Sequence, residues 1–146
     1  MEKITTITSA ETFSVRHPVL RAGKPIESCR FEGDDLPTTT HIGLFQYNHL
    51  IGIISIFEVK SPLFNDERQF QLRGMAVLEE HQKKGFGEKL VRHAEQFLKS
   101  RNASLIWFNA RLSAVEFYKR IGYTTVGEVF IINAVGPHNV MFKKII

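Results

Sequence analysis

Residues 82–88 read Gln-Lys-Lys-Gly-Phe-Gly-Glu and place two lysines beside two glycines. This glycine turn follows the strand-like run from Phe70 to Val77 and precedes a segment with helical periodicity. A glycine turn at the start of a helix exposes backbone N–H groups where the helix dipole favours an anion, so it could hold a phosphate. A surface turn beside solvated lysines would have the same composition. The residue types therefore leave two interpretations, an anion site and a surface turn.

Other phosphate and metal motifs are absent from the sequence. The P-loop pattern GxxxxGK[ST] does not occur, and Leu90 stands where a dinucleotide fingerprint that begins at Gly85 would have its third glycine. The six histidines show no paired metal-ligand spacing, and neither CxxC nor HExxH occurs, so we expect no metal. Cys29 is the single cysteine, which excludes an internal disulfide.

The N-terminal quarter of the chain is predicted to contain one helix and a long loop. Thr8 and Glu11 form a capping-box pattern, which predicts a helix over residues 9–21. Residues 22–39 are rich in glycine, proline and aspartate, which is typical of a loop. These elements precede the first predicted strand.

The elements that must position the glycine turn follow from periodicity. THIGLFQYNHLIGIISIFEV predicts two strands joined by a tight turn at residues 47–49, and RQFQLRGMAVL predicts a third strand. A helix from Gly85 to about Arg101, the short strand SLIWFNA and a helix closed by Gly122 follow. TTVGEVFII and HNVMFKKI predict two final strands. This order of helices and strands predicts an α/β or α+β fold.

Composition and charge are those of an ordinary globular chain. The 146 residues are 43% hydrophobic and 23% charged, which fits a single domain over residues 1–146. No apolar run approaches the ~18 residues of a membrane span, and the N-terminus lacks an apolar signal core, so we expect a cytoplasmic protein with no membrane partner. The formal charge of +4 is dispersed, and basic and aromatic residues do not interleave on one strand, so nucleic acid is not an expected partner.

Two blocks of the sequence resemble motifs of one enzyme superfamily. QKKGFG resembles the Q/R-x-x-G-x-G/A acetyl-coenzyme A motif of the GCN5-related N-acetyltransferase (GNAT) superfamily, in which it also follows a central strand. NARLSAVEFYKRIGY resembles a later block of that superfamily, and together the two blocks cover Phe70 to about Gly127. The upstream RHPVLRAGKPIESCRFEGDD and the terminal GPHNVMF resemble a bacterial branch of small-molecule acetyltransferases.

The resemblance implies a fold and an activity. The implied fold is a mixed, mostly antiparallel central sheet that is flanked by helices and splayed at the cofactor site. The implied activity is that of an acyltransferase that moves the acetyl group of acetyl-coenzyme A (acetyl-CoA) to the amine of a small molecule. Relatives are commonly homodimers. A protein that binds or senses acyl-CoA without turnover stays open as the alternative.

The resemblance also implies which residues hold acetyl-CoA. The backbone of the third predicted strand would run along the pantetheine arm, and the N–H groups of the glycine turn would hold the pyrophosphate, with Gln82 stabilising the turn. Lys83 and Lys84 could reach the phosphates or remain solvated. Asn109 would hydrogen-bond the cofactor where two strands separate. The implied cofactor-binding residues are Met75, Ala76, Val77, Gln82, Lys83, Lys84, Gly85, Phe86, Gly87, Glu88, Asn109, Phe117 and Tyr118.

Acetyl transfer to an amine requires a base, stabilisation of the acyl oxygen and protonation of the departing thiolate. In the matched block a tyrosine at the position of Tyr118 points at the coenzyme sulfur, and a backbone N–H near Met75 or Val77 would stabilise the oxygen. A tyrosine that only packs on its helix is the alternative for Tyr118. The third predicted strand offers no carboxylate, so the candidate bases are Glu128, His138 and a chain of water molecules.

Three arginines are candidates for binding the acceptor. Arg73 alternates with Met75 and Val77 along the third predicted strand, so we expect it on their face. The resemblance places Arg16 and Arg21 on the opposite side of the acceptor cleft. Guanidinium groups there would suit an acceptor that carries both an amine and a carboxylate. Surface ion pairs with Glu or Asp are the alternative for all three.

Overall fold

The computed structural model describes residues 1–145, and this part of the chain contains seven strands and three α-helices. The strands are β1 (Glu2–Ile7), β2 (Thr40–Gln46), β3 (His49–Phe57), β4 (Gln69–Val77), β5 (Leu105–Arg111), β6 (Thr124–Ile132) and β7 (Gly136–Lys144). The helices are α1 (Phe13–Leu20), α2 (Phe86–Ser100) and α3 (Val115–Arg120). Across these residues, no helix is both long and apolar enough to cross a bilayer.

The strands form one sheet in the order β1-β2-β3-β4-β5-β7-β6. Neighbouring strands are antiparallel except β4 and β5, which run parallel. The parallel pair is in register only over Gln69–Gln71 of β4. Both strands continue beyond that point, to Val77 and Arg111, so they separate and leave a gap in the sheet. The expected mixed, mostly antiparallel sheet is confirmed.

Helices α1 and α2 pack on opposite faces of the sheet. Helix α1 contributes Val15, which packs with Ile53 of β3 and Ala76 of β4. Because both faces are covered, β3 is buried on both sides, which explains its largely apolar sequence LIGIISIF, in which Ser55 is the one polar residue. On the other face, α2 contributes residues spaced by three and four positions to the larger core: Phe86, Leu90, Val91, Ala94 and Leu98.

Strand β4 carries a β-bulge where it passes the gap. Arg73 pairs with Ser55 and Ala76 pairs with Ile53, so two residues of β4 lie opposite the single residue Ile54. One of these two is Gly74, whose φ of +64° lies in the left-handed region. A Cβ at Gly74 would also lie 3.0 Å from the Phe31 ring. Both the backbone conformation and the lack of space therefore favour glycine at this position.

The bulge changes which side chains share a face of β4. Met75 and Val77 pack with the larger core on the α2 side. Arg73 lies on the other side, over the rings of Phe31 and Phe57. The expectation that Arg73 shares a face with Met75 and Val77 is therefore wrong, because the inserted residue breaks the two-residue alternation.

Strand β1 is absent from the predicted elements, which begin with a helix. Residues 2–7 pair antiparallel with β2 along their whole length, from Glu2 opposite Gln46 to Ile7 opposite His41. The sequence EKITTI contains four β-branched residues, a composition that is typical of strands. The composition of residues 2–7 thus indicates a strand, although a short segment at the chain terminus shows no clear alternation.

The predicted N-terminal capping box is present in the structure. The Thr8 N–H donates to Glu11 Oε1 at 2.8 Å, and the Glu11 N–H donates to Thr8 Oγ1 at 3.2 Å. A short 3-10 turn follows, and the α-helical part of the predicted helix is α1. The predicted loop over residues 22–39 contains a 3-10 turn at Ile26–Cys29 and otherwise runs without helix or strand.

Candidate active site

A cleft of about 490 Å³ opens where β4 and β5 separate. Strand β4 lines it from Gln71 to Met75, and β5 lines it from Phe108 to Arg111. The remaining sides come from the end of α1, from α3 and from the turn between β6 and β7. Beyond Gln71 the edge of β4 that faces the gap has no partner strand, so its backbone groups are available to an extended ligand.

The glycine turn lies at the N-terminus of α2, next to the cleft. Gly85 caps the helix with φ of +87°, and among the described residues no side chain caps this end. The first N–H groups of α2 therefore remain available to an anion. A Cβ at Gly87 would lie 3.4 Å from Cε of Met75 and 3.7 Å from Cζ of Phe117. Gly87 thus packs against these two side chains, and the uncapped N–H groups are the feature that would suit a phosphate.

Gln82 ties the glycine turn to the end of β4. Its Nε2 donates to the carbonyl oxygen of Val77 at 2.8 Å. The side chains of Lys83, Lys84 and Glu88 are exposed around the turn. With its left-handed φ of +62°, Lys83 shapes the loop just before Gly85.

The other implied cofactor residues lie along the gap or behind it. Met75 and Asn109 line the cleft from the two separated strands, and Asn109 is exposed. Ala76 and Val77 are buried, so only their backbone could contact a ligand. Phe86 is also buried in the larger core. Phe117 lies between the start of α2 and Tyr118.

Tyr118 projects from α3 and lines the cleft. Its ring packs on Phe108 and Phe117, with centroid separations of 4.4 and 5.0 Å. Burial raises the pKa of Tyr118 to about 12, so the phenol keeps its proton at neutral pH. The hydroxyl makes no hydrogen bond within residues 1–145, whereas the Tyr123 hydroxyl donates to Glu95 at 2.8 Å. Tyr118 can therefore donate a proton into the cleft.

Of the two candidate bases, the structure brings only His138 into the cleft. His138 is 5% exposed, and its Nδ1–H donates to the carbonyl oxygen of Gly136 at 2.8 Å. Because a carbonyl only accepts, this bond assigns the proton of the neutral ring to Nδ1 and leaves the lone pair on Nε2. Glu128 is exposed, lies where the β6 register breaks between Val126 and Phe130, and does not line the cleft.

The sequence predicts that Arg16 lines the acceptor cleft, but in the structure it does not. Its side chain is fully buried, and Nη1 donates to Asp34 Oδ2 at 2.6 Å and to the Cys29 carbonyl oxygen at 2.7 Å. Nη2 donates to Ser55 Oγ at 3.0 Å. Burial opposes ionisation of Asp34, but the bonds from Arg16 and the Phe31 N–H lower its pKa overall. The expectation is wrong because the loop after α1 folds back over Arg16.

Arg21 and Arg73 do line the cleft, and so does Arg111, which the sequence analysis missed. Alternation on β5 could have identified Arg111, because Asn109 and Arg111 are exposed while Phe108 and Ala110 are buried. The loop residue Phe31 also lines the cleft. No periodic signal marks Phe31, since its position depends on how the loop folds.

We expect the free energy of unfolding to fall as the pH rises above about 10. In the unfolded chain Tyr118 titrates near pH 10, whereas in the folded protein burial raises its pKa to about 12. Between these values the unfolded chain releases a proton that the folded protein keeps, so stability decreases with pH. A difference of two pKa units corresponds to roughly 2–3 kcal/mol.

Urea unfolding of the parent protein and of Tyr118→Phe at about pH 9, 10 and 11 measures this effect. The parent should lose more stability over this range than Tyr118→Phe, because the variant lacks the buried phenol. An equal loss in both proteins would show that Tyr118 is not buried as a neutral phenol.

Comparisons with known proteins agree with this architecture. The family model "Acetyltransferase (GNAT) family" matches residues 5–123. The uncharacterized N-acetyltransferase YitI of Bacillus subtilis is 34% identical over 145 residues, which cover 99% of this chain and 97% of that protein. A putative N-acetyltransferase from Lactobacillus plantarum has a TM-score of 0.80 at 18% identity, with 99% of both chains covered.

A second solved structure of similar fold is an aminoglycoside 6'-N-acetyltransferase complexed with coenzyme A. Its TM-score is 0.77 at 18% identity, and the match covers 99% of this chain and 97% of that chain. The family match spans β2 to β5, the glycine turn and Tyr118, and of the residues that line the cleft only Ile132, Val135 and His138 lie beyond it. The chain therefore belongs to the GNAT family of acetyltransferases and is an acyltransferase.

Proposed function

We propose that the protein transfers the acetyl group of acetyl-CoA to the amine of a small molecule by direct attack, with Tyr118 protonating the departing thiolate. Membership of the family accounts for an N-acetyltransferase that uses acetyl-CoA. The observation that carries the finer proposal is the position of Tyr118. Tyr118 lines the cleft at the gap between β4 and β5, its phenol is protonated at neutral pH, and its hydroxyl has no partner within residues 1–145.

The residues around the gap fit acetyl-CoA. The helix start at Gly85 offers uncapped N–H groups to the pyrophosphate, and the unpaired edge of β4 offers backbone groups to the pantetheine arm. A Cβ at Gly87 would contact Met75 and Phe117, so glycine leaves more room beside the helix start than any other residue would. Asn109 can hydrogen-bond the same arm from the β5 side of the gap.

Acetyl-CoA supplies a thioester that an amine can attack directly. The amine nitrogen forms the new C–N bond while the C–S bond breaks. A backbone N–H of β4 near Met75 or Val77 stabilises the acyl oxygen as it gains negative charge. Nε2 of His138, or water in the cleft, accepts the proton that the amine loses. The Tyr118 hydroxyl gives its proton to the thiolate and regains one from solvent.

An aminoglycoside acceptor is not part of the proposal, although one fold neighbour is an aminoglycoside 6'-N-acetyltransferase. An identity of 18% supports the fold alone. Aminoglycosides are polycations, and no aspartate or glutamate of the described chain lines this cleft. Three arginines line it instead, so the charge of the cleft opposes such an acceptor.

The proposal is tested by incubating the purified protein with acetyl-CoA and a panel of amino acids, polyamines and amino sugars. The release of free thiol is followed with a thiol reagent, and the products are identified by mass spectrometry. We expect thiol release that depends on the amine, with one acetylated amine formed for each thiol. Thiol release at the same rate without any amine would indicate hydrolysis and contradict the proposal.

A further inference from the structure

The side of the cleft that faces α1 and β7 is cationic. Arg21, Arg73 and Arg111 line the cleft together with His138, and its lining within residues 1–145 includes no aspartate or glutamate. The glycine turn does not line this cleft, so the arginines lie apart from the site that fits the pyrophosphate. Binding of the cofactor pyrophosphate therefore does not account for the positive charge of these arginines.

None of the cleft arginines forms an ion pair with another residue of the range 1–145. Arg16 and Arg30 each bind an aspartate, with N–O distances of 2.6 and 2.7 Å. In contrast, no carboxylate oxygen of the described chain lies within 4.0 Å of a side-chain nitrogen of the cleft arginines. The interpretation of Arg21 and Arg73 as members of surface ion pairs is therefore wrong.

Arg73 is fixed in place although it has no anionic partner. Its guanidinium lies 5.1 Å from the ring centroids of both Phe31 and Phe57. Burial is the main cause that lowers the pKa of Arg73 below its usual value. The charges of Asp34 and Glu32 act against this shift, and those of Arg16 and Arg21 add to it. Stacking on aromatic rings leaves the N–H donors of a guanidinium unused. Arg73 is thus a preorganised donor that has no acceptor in the described part of the chain.

Phe31 links the cleft arginines to a buried polar network. The guanidinium of Arg16 lies 3.8 Å from its ring centroid, and that of Arg21 lies 5.1 Å away. The Phe31 N–H donates to Asp34 at 2.9 Å, and Asp34 is the ion-pair partner of Arg16. The buried pair therefore holds the loop that carries Phe31, and Phe31 in turn supports Arg21 and Arg73.

We propose that the acceptor of the acetyl transfer is an amine that also carries an oxyanion, a carboxylate or a phosphate ester, which Arg21, Arg73 and Arg111 bind. The planar N–H fork of a guanidinium matches such an oxyanion with two parallel hydrogen bonds. The oxyanion would supply the counter-charge that the cleft lacks. A polyamine would instead meet like charges. This inference rests on the proposed acetyl transfer to a small amine.

The first test compares acceptors that carry an oxyanion with acceptors that lack one. The kcat/KM of each amino acid is compared with that of its carboxamide. Phosphoethanolamine serves as a further oxyanion acceptor, and spermidine serves as a polyamine. A carboxamide has the less basic amine and is the better nucleophile at neutral pH, so a preference for the acid would come from binding. We expect kcat/KM for the best oxyanion acceptor to exceed that of its neutral partner by about fivefold or more. A preference for carboxamides or spermidine would overturn the inference.

The second test uses variants with a matched control. Arg73→Gln should lower kcat/KM for the oxyanion acceptor by about fivefold and leave KM for acetyl-CoA unchanged. Arg111→Glu changes an exposed residue and should reverse the charge preference of the acceptor. Arg68→Gln removes a charge from the same strand region, over the Phe70 ring at 5.5 Å but outside the cleft, and should change neither parameter. Unaltered selectivity in Arg73→Gln and Arg111→Glu would overturn the inference.

A binding measurement separates this inference from the proposed function. N-acetyl amino acids, which are products of the proposed reaction, are titrated into the parent and into Arg73→Gln by calorimetry, with their carboxamides as controls. Binding of the acids to the parent but not to the variant, without turnover of any amine, would refute acetyl transfer and retain the oxyanion site. Turnover of neutral amines without binding of the acids would refute the oxyanion site and retain acetyl transfer.

Discussion

Gly87→Glu should weaken the binding of acetyl-CoA by at least about tenfold, or about 1.4 kcal/mol, while the protein remains folded. The glutamate would stand in the first turn of α2, beside the N–H groups that would hold the pyrophosphate, and would add a negative charge there. A Cβ at Gly87 meets the end of the flexible Met75 side chain at 3.4 Å, so the fold can accommodate it. Calorimetry with acetyl-CoA measures the affinity, and circular dichroism with thermal unfolding establishes that the variant is folded.

Gly87→Gln is the matched control, since glutamine has the size of glutamate without its charge. Bulk alone should weaken binding in both variants, and charge should weaken it further in Gly87→Glu. The difference between the two should shrink at high salt, because ions screen the repulsion between the carboxylate and the phosphates. Unchanged affinity in a folded Gly87→Glu protein would falsify the assignment of the glycine turn to the cofactor.

The elements that hold the cofactor site could be predicted because their signals are local. The period of three and four residues from Phe86 to Leu98 predicts α2, and the glycines before it mark its start. The positive φ values of Tyr47 and Asn48 fit the tight turn that was predicted between β2 and β3. Each of these features depends on residues that are close together in the sequence.

The acceptor side could be predicted only in part, because its geometry depends on distant contacts. The bulge at Gly74 is invisible in the run FQLRGMAV, yet it decides which face of β4 carries Arg73. The burial of Arg16 depends on Asp34, which lies 18 residues further along the chain. A sequence pattern shows that these residues are charged. It does not show which of them form ion pairs in the folded protein.

The loop after α1 illustrates how one long-range contact changes the interpretation of several residues. The ion pair of Arg16 with Asp34 removes one predicted acceptor-binding arginine from the cleft. The same pair holds Phe31 beside Arg21 and Arg73. Arg16, which was expected to bind the acceptor, therefore acts through Phe31 and helps to position Arg21 and Arg73.

Tyr118→Phe should lower kcat by about 100-fold or more and leave the affinity for acetyl-CoA nearly unchanged. Phenylalanine keeps the packing on Phe108 and Phe117 and removes only the hydroxyl. In the parent, burial raises the pKa of this phenol to about 12, so the hydroxyl carries its proton at neutral pH and can donate a hydrogen bond to the sulfur as charge develops there. Without it, the thiolate must leave unprotonated or take a proton from water.

Tyr123→Phe is the control for Tyr118→Phe, since both remove one tyrosine hydroxyl from the same aromatic cluster. The Tyr123 hydroxyl donates to Glu95 at 2.8 Å and does not line the cleft, so its loss should lower stability and spare kcat. The rates should be compared where chemistry limits turnover, which a burst-phase measurement establishes. If Tyr118→Phe then turned over at the parent rate, Tyr118 would be a packing residue, and the thiolate would need another proton donor in the cleft.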